Sequence, residues 1–159
     1  MIGKRRVTAV AVLAIALGGC GSSTPTGPKP PNYSGSWRGT TSGGLPITFS
    51  VSGDQVSGMT AQVRISYLVV TFSGGIVTFS SDTCDVTFTA PAPVKMSGTA
   101  FETTITSSIA STVLKGSFVS ETSASGTIDK FSFSRICDGR ATFAGPEDQA
   151  ALTWKATKG

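Results

Sequence analysis

Three cysteines are the residues best suited to chemistry in this 159-residue chain, because it contains no histidine. Cys20 follows an apolar segment and two glycines, whereas Cys84 and Cys137 lie in the remainder of the chain. Histidine is the commonest general base and the commonest zinc ligand, so its absence removes both roles. The residue types therefore favour thiol chemistry, as covalent modification at Cys20 and as pairing of the other two cysteines.

The segment before Cys20 has the parts of a secretory signal peptide. A basic stretch, residues 4–6, precedes an apolar run over residues 7–17, and Gly18 and Gly19 follow. A charged start, a short apolar centre and a small-residue cleavage site are typical of export signals. The apolar run has eleven residues, far fewer than the roughly 20 of a membrane-spanning helix.

Leu17-Gly18-Gly19-Cys20 resembles the lipobox of bacterial lipoproteins, in which a leucine and two small residues precede the modified cysteine. The resemblance implies that signal peptidase II recognises Leu17, Gly18 and Gly19 and cuts before Cys20. Cys20 would then carry acyl chains such as palmitate, and several chains on one residue give stable anchoring. Because Gly21 and not aspartate follows, the resemblance implies the outer membrane in a Gram-negative host. The alternatives are an ordinary secretory peptide or a buried apolar helix.

Residues 21–32 read GSSTPTGPKPPN and predict a tether. Proline and small polar residues favour a semi-extended linker, and twelve residues at about 3.1 Å each reach about 35–40 Å. Without residues 1–19, ten basic residues face nine acidic ones, so no basic patch indicates nucleic-acid binding. The expected organisation is a signal peptide at 1–19, a lipidated cysteine and tether at 20–32, and one domain at 33–159.

Apolar and polar residues alternate through most of the domain, which predicts β-strands with one buried face. The alternation shows in Ile47/Phe49/Val51, Val63/Ile65/Tyr67, Val70/Phe72, Val77/Phe79, Cys84/Val86/Phe88 and Leu152/Trp154/Ala156. Gly53-Asp54 and Ser73-Gly74-Gly75 are turn signals between them. The pattern predicts an all-β fold, a single antiparallel domain of about 8–10 short strands, built as a barrel or a sandwich.

Gly35-Ser36-Trp37 resembles the opening strand of avidin-like and lipocalin-like barrels, and Asp54 and Val56-Ser57-Gly58 continue an avidin-like sequence. The domain is also similar to small, uncharacterised all-β envelope lipoproteins. These have strands such as Gly116-Ser117-Phe118 and a late cysteine before a Thr-Trp strand. The resemblance favours a barrel over a sandwich and implies no activity.

Once Cys20 is lipidated, two cysteines remain, Cys84 and Cys137. An even number of cysteines in an exported protein predicts a disulfide bond, and two unpaired buried cysteines are the alternative. The bond would bring Asp82, Asp85 and Asp138 within about 10 Å of one another. Carboxylates are ligands for Ca²⁺, but aspartate is also common in turns. No metal is predicted, and a calcium site at these aspartates is the alternative.

The sequence contains no Gly-x-Ser-x-Gly, no Ser-x-x-Lys and no phosphate-binding glycine loop, so we expect neither catalysis nor a cofactor. A structural or protein-interaction module would use an exposed strand edge or an aromatic rim. The alternative is a small-ligand-binding barrel, lined by Trp37, Tyr67 and Trp154, unless these residues form the core. The expected partners are the membrane, through the lipid anchor, and an envelope protein or a small ligand.

The lipobox predicts that labelled palmitate is incorporated into the full chain in bacterial cells and not into Cys20→Ala, since the thiol is the attachment atom. Fluorography of the immunoprecipitated protein measures the label. Equal labelling of both chains would contradict a lipid anchor at Cys20.

Overall fold

The structure, a computed structural model, describes residues 29–133 and 147–159. These residues form eleven strands and no helix, and therefore no helix able to cross a membrane. The compact unit spans Pro31–Gly159. The strands are β1 (Gly35–Thr41), β2 (Pro46–Ser52), β3 (Gln55–Ser73), β4 (Ile76–Thr89), β5 (Val94–Lys95), β6 (Ala100–Thr106), β7 (Ser111–Ser120), β8 (Ser123–Ile128), β9 (Phe131–Phe133), β10 (Glu147–Gln149) and β11 (Leu152–Lys158).

Eight strands close into an antiparallel barrel in the order β1-β2-β3-β4-β6-β7-β8-β11, and β11 returns to pair with β1. Outside this ring, β5 pairs with the start of β3, and β9 and β10 form a separate ribbon. The predicted all-β class and the barrel are confirmed. The strand lengths differ from expectation, because β3 has 19 residues and β4 has 14.

The long strands arise because segments predicted as separate short strands are continuous. Val63/Ile65/Tyr67 and Val70/Phe72 both belong to β3, while Val77/Phe79 and Cys84/Val86/Phe88 both belong to β4. The two strands pair without a break from Thr60↔Thr89 to Ser73↔Ile76. Only one residue pair, Thr89↔Thr106, joins β4 to β6, so β3 and β4 leave the barrel together as a hairpin.

Aromatic side chains fill the barrel interior. Trp37, Phe49, Phe101, Phe118 and Trp154 are all buried, and their neighbouring ring centroids are 4.9–6.2 Å apart. Most of these pairs are tilted or edge-to-face, the arrangements that aromatic rings prefer. An eight-stranded barrel is just wide enough for side chains to fill, and here large rings occupy that space.

Two glycines make room for the largest of these rings. Gly116 on β7 and Gly126 on β8 face each other, and Gly126 also faces Trp154 on β11. A Cβ atom at either glycine would lie 2.7 Å from Cζ2 of the Trp154 indole. The indole Nε1–H donates to the backbone oxygen of Lys115 at 3.1 Å. The indole therefore lies directly against the backbone of the two preceding barrel strands.

Gly126→Ala is expected to lower the free energy of unfolding by about 3 kcal/mol, because the added methyl group overlaps the Lys115 carbonyl oxygen and crowds the indole. Urea unfolding of the full chain, followed by tryptophan fluorescence, measures the change. Gly43→Ala is the matched control, since its Cβ meets nothing closer than Oγ1 of Thr41 at 3.7 Å. Equal stability of the two variants would contradict the close approach.

Candidate functional site

The residues of the lipobox, Leu17, Gly18, Gly19 and Cys20, lie outside the described residues. Cys84 lies on β4 opposite Ile65, is partly buried and is disulfide-bonded. Cys137 also lies outside the described residues, so the pairing of Cys84 with Cys137 stays a prediction.

The three aromatic residues proposed as ligand-lining or core residues are all buried. The exposed fraction is 0% for Trp37, 4% for Tyr67 and 1% for Trp154. The Trp37 indole N–H donates to the backbone oxygen of Tyr33 at 3.0 Å, as the Trp154 indole does to Lys115. Both tryptophans thus satisfy their polar atom within the protein, which is what a core position requires.

Asp82 and Asp85 do not converge on a common point. They are three residues apart on β4, and successive side chains of a strand point to opposite faces, so the two carboxylates lie on opposite faces. Asp85 pairs with Arg64, and Asp82 accepts hydrogen bonds from the Thr83 N–H and the Tyr67 hydroxyl. Asp138 lies outside the described residues, and among those described no acidic or cysteine cluster could hold a metal.

The feature that sequence reasoning missed is the distal part of the β3–β4 hairpin, which we call the arm (residues 68–81). It comprises the six pairs from Leu68↔Ser81 to Ser73↔Ile76, and no other described strand pairs with it. A two-residue loop, Gly74-Gly75, closes it with φ values of 58° and 81°. Positive φ at both positions is the type I′ geometry that suits the twist of a hairpin.

The two faces of the hairpin exchange polarity where the arm begins. Nearer the barrel, the outer face carries Gln62↔Thr87, Arg64↔Asp85 and Ser66↔Thr83. Further along, the same face carries Leu68↔Ser81, Val70↔Phe79 and Phe72↔Val77. The opposite face carries the buried residues Val63, Ile65 and Tyr67 and then Val69, which packs against the core. Beyond Val69 this face carries Thr71↔Thr78 and Ser73↔Ile76. We call the Leu68/Val70/Phe72/Val77/Phe79 side the apolar face of the arm.

The distal part of the apolar face is open to solvent, whereas Leu68 and Val70 nearer the barrel are partly buried. Phe72 is 68% exposed, Phe79 is 67% exposed and Val77 is 45% exposed. With Ile76 at the tip, the arm holds four of the five large exposed hydrophobic residues among those described, and Val119 on β7 is the fifth. The arm also contains no charged residue. Concentrated apolar surface of this kind marks interaction sites in soluble domains.

Two polar pairs hold the base of the arm in register. Arg64 binds Asp85 through two hydrogen bonds, Nε to Oδ1 at 2.7 Å and a terminal nitrogen to Oδ2 at 2.9 Å. The Tyr67 hydroxyl donates to Oδ2 of Asp82 at 3.3 Å on the other face. The hydrogen bonds from the Arg64 guanidinium lower the pKa of Asp85 and raise that of Arg64. A slip of one residue would break both pairs and turn the apolar face around.

The arm lies at the end of the barrel opposite the start of the domain. The backbone of Asn32 contacts Glu121 in the β7–β8 turn and Lys158 at the end of β11. The Ser34 hydroxyl accepts a hydrogen bond from Gly53 in the β2–β3 turn. β3 begins at that turn and runs the length of the barrel before it enters the arm. Any segment that precedes Asn32 therefore joins the barrel at the far end from the arm.

An open hollow of about 510 Å³ lies on the barrel wall. Phe101 and Gly116 are buried residues at this hollow, and the exposed charged residues Lys95, Glu102 and Lys115 also line it. Lys115 also binds Asp129 at 2.7 Å, and this hydrogen bond raises the pKa of the lysine. The hollow offers mixed charges over a small apolar floor, without a set of polar groups that converge on one point.

Comparison of this chain with protein-family models, with curated proteins and with solved structures found no match.

A signal for the arm is present in the sequence. The apolar alternation shifts by one residue between Tyr67 and Leu68 in β3, and again between Phe79 and Asp82 in β4. The two shifts lie at similar distances from Gly74-Gly75, so paired strands change face together. A shift without turn residues indicates a continuous strand that changes its environment.

Arg64→Gln is expected to raise the pKa of Asp85 towards the ordinary aspartate value, because the guanidinium hydrogen bonds are lost. Since the folded-state pKa is lowered, the pair stabilises the hairpin at neutral pH, and this contribution is lost as pH falls through that pKa. NMR titration of the carboxyl carbons measures the shift. Lys95→Gln, which removes the exposed partner of Asp54, is the control; an unchanged Asp85 titration in Arg64→Gln would contradict the pairing.

Proposed function

We propose that the protein is an exported, lipid-anchored protein-interaction module whose binding surface is the apolar face of the arm. The observation that supports this function is the arrangement of the arm: Phe72, Val77 and Phe79 face water, although the barrel beside them is well packed. No catalytic group and no cofactor take part in the proposal.

The difference in polarity between the two faces of the arm supports a binding surface and not an incidental exposure of apolar side chains. Thr71 and Thr78 occupy one face, while Phe72, Val77 and Phe79 occupy the other. A hairpin without a binding partner gains no stability in water from aromatic side chains on one face, since apolar area stabilises a structure only when it is buried. The apolar face therefore has the composition expected of an interface centre, where aromatic residues are enriched and charged residues are depleted.

A protein partner is better supported than a small ligand in the barrel. Trp37 and Trp154, which could have lined a binding cavity, pack among Phe49, Phe101 and Phe118. The hollow beside Phe101 is open, and Lys115 at this hollow already binds Asp129. The arm presents an extended apolar surface, which suits a protein chain better than a compact molecule.

The proposed anchor and the arm are compatible in space. A lipidated Cys20 would hold the tether at the membrane, and the tether would join the barrel at Asn32. Because Asn32 contacts the turns and strand ends opposite the arm, the tether would join the barrel away from the arm and leave the apolar face uncovered. In a Gram-negative host this membrane would be the outer membrane.

If the arm is the binding surface, the amount of partner recovered with Phe72→Ser/Phe79→Ser after chemical crosslinking in the native host is expected to fall at least tenfold. The reason is that the serines remove the apolar contact. Quantitative mass spectrometry of the purified full chain measures recovery of every protein, including other copies of this chain. Phe72→Leu/Phe79→Leu keeps an apolar face and should retain recovery.

Thr71→Ser/Thr78→Ser changes the opposite face of the arm and serves as the matched control. Near-ultraviolet circular dichroism of Trp37 and Trp154 checks that the barrel is intact in each variant. Identical partners for the wild type and the double-serine variant would contradict an interaction through the arm.

A further inference from the structure

We infer that the partner of the arm is a second copy of the same chain, bound face to face through the two apolar faces. This inference rests on the proposed function and identifies its partner. The residues that carry it are Val70, Phe72, Val77 and Phe79, which form two adjacent cross-strand pairs on one face.

The absence of charge on the arm restricts the kind of surface that can bind to it. Residues 68–81 contain no acidic or basic side chain, so nothing on the arm would pair with a charged partner surface. Buried charges without partners are costly, and a matching surface must therefore be uncharged and apolar. Among the described residues, the apolar face of another arm is such a surface, since Phe72, Val77 and Phe79, three of the five large exposed hydrophobic residues, lie there.

A lipid bilayer fits the arm less well than another arm does. Binding at a membrane surface uses basic residues and interfacial tryptophan or tyrosine, and the arm contains none of these. The arm also lies opposite Asn32, the point where a tether would hold the barrel near its own membrane.

Face-to-face packing satisfies the geometry of two anchored copies. Two small sheets pack about 10 Å apart with their strands roughly aligned. A twofold axis parallel to the arms would place Phe72 and Phe79 of each copy at the centre of one shared apolar layer. It would also keep both Asn32 residues at the same end, so both tethers could reach one membrane. Edge-to-edge antiparallel pairing would direct the tethers to opposite sides.

The expected strength of the contact follows from its size. Two phenylalanines and two valines expose on the order of 400 Å² on each arm, so a dimer buries on the order of 800 Å² in total. This is less than the roughly 1,200–2,000 Å² of a stable interface, which predicts weak association in dilute solution. Confinement to a membrane raises the effective concentration, as a short linker does, and would populate the dimer.

Photocrosslinking in cells tests the inference. The full lipid-anchored chain is produced with two different tags in one cell, and Phe79 is replaced by the aromatic photocrosslinker benzoylphenylalanine. We expect a product that carries both tags, at least tenfold stronger than from the same probe at Thr78, on the opposite face of the arm. A probe at Thr87, on the barrel wall, is the second control, and Phe72→Ser in the same chain should abolish the product.

The alternative outcomes separate the two proposals. Crosslinks from position 79 to a different protein, without a two-tag product, would overturn the second copy as partner and leave the interaction module standing. Crosslinks to lipid alone, or equal products from positions 78 and 79, would overturn both. Circular dichroism of the extracted variants excludes loss of the barrel as the cause.

Discussion

The close approach of the Trp154 indole to Gly116 and Gly126 is the contact on which the barrel depends most. It links three adjacent strands, because the ring on β11 lies over backbone positions of β8 and β7 that have no side chain. The hydrogen bond from the indole to Lys115 fixes the position of the ring along the barrel. With β11 in place, β1 pairs with it and positions Trp37 against Phe49 and Phe118. The Trp154 ring and the two glycines thus define both the width of the barrel and the register of its closing strand.

The fold was largely predictable from the sequence, and the arm was not. Alternation at Ile47, Phe49 and Val51, and turns at Gly53 and Gly74, depend on local chemistry, so the strands and hairpins could be predicted. Alternation does not distinguish a break between strands from one strand whose buried face changes sides, and β3 and β4 are of the second kind. The roles of Trp37 and Trp154 were also undecided, because an inward aromatic residue has the same local pattern in a core and in a ligand cavity. Only the contacts across the barrel, which join distant parts of the chain, decide between them.

The arm combines features that a solitary hairpin does not need. Its loop is a tight turn with two glycines, its base is held by Arg64–Asp85 and Tyr67–Asp82, and its faces differ in polarity. A fixed register matters because side chains alternate between faces, so a shift by one residue would move Phe72 and Phe79 to the other side. The same order also favours aggregation, since an exposed apolar face can bind unfolded chains. A partner that covers the face would suppress that aggregation.

The adjacency of β1 and β11 also has a consequence for biogenesis. Gly35–Thr41 and Leu152–Lys158 are neighbours in the barrel, yet about 110 residues separate them along the chain. At a synthesis rate of about 5–20 residues per second, roughly 5–20 s pass between the appearance of the two strands. Until β11 arrives, β1 lacks one neighbour and Gly116 and Gly126 lack the ring that covers them. The barrel therefore stays open while the chain is made, and it closes only once β11 is complete.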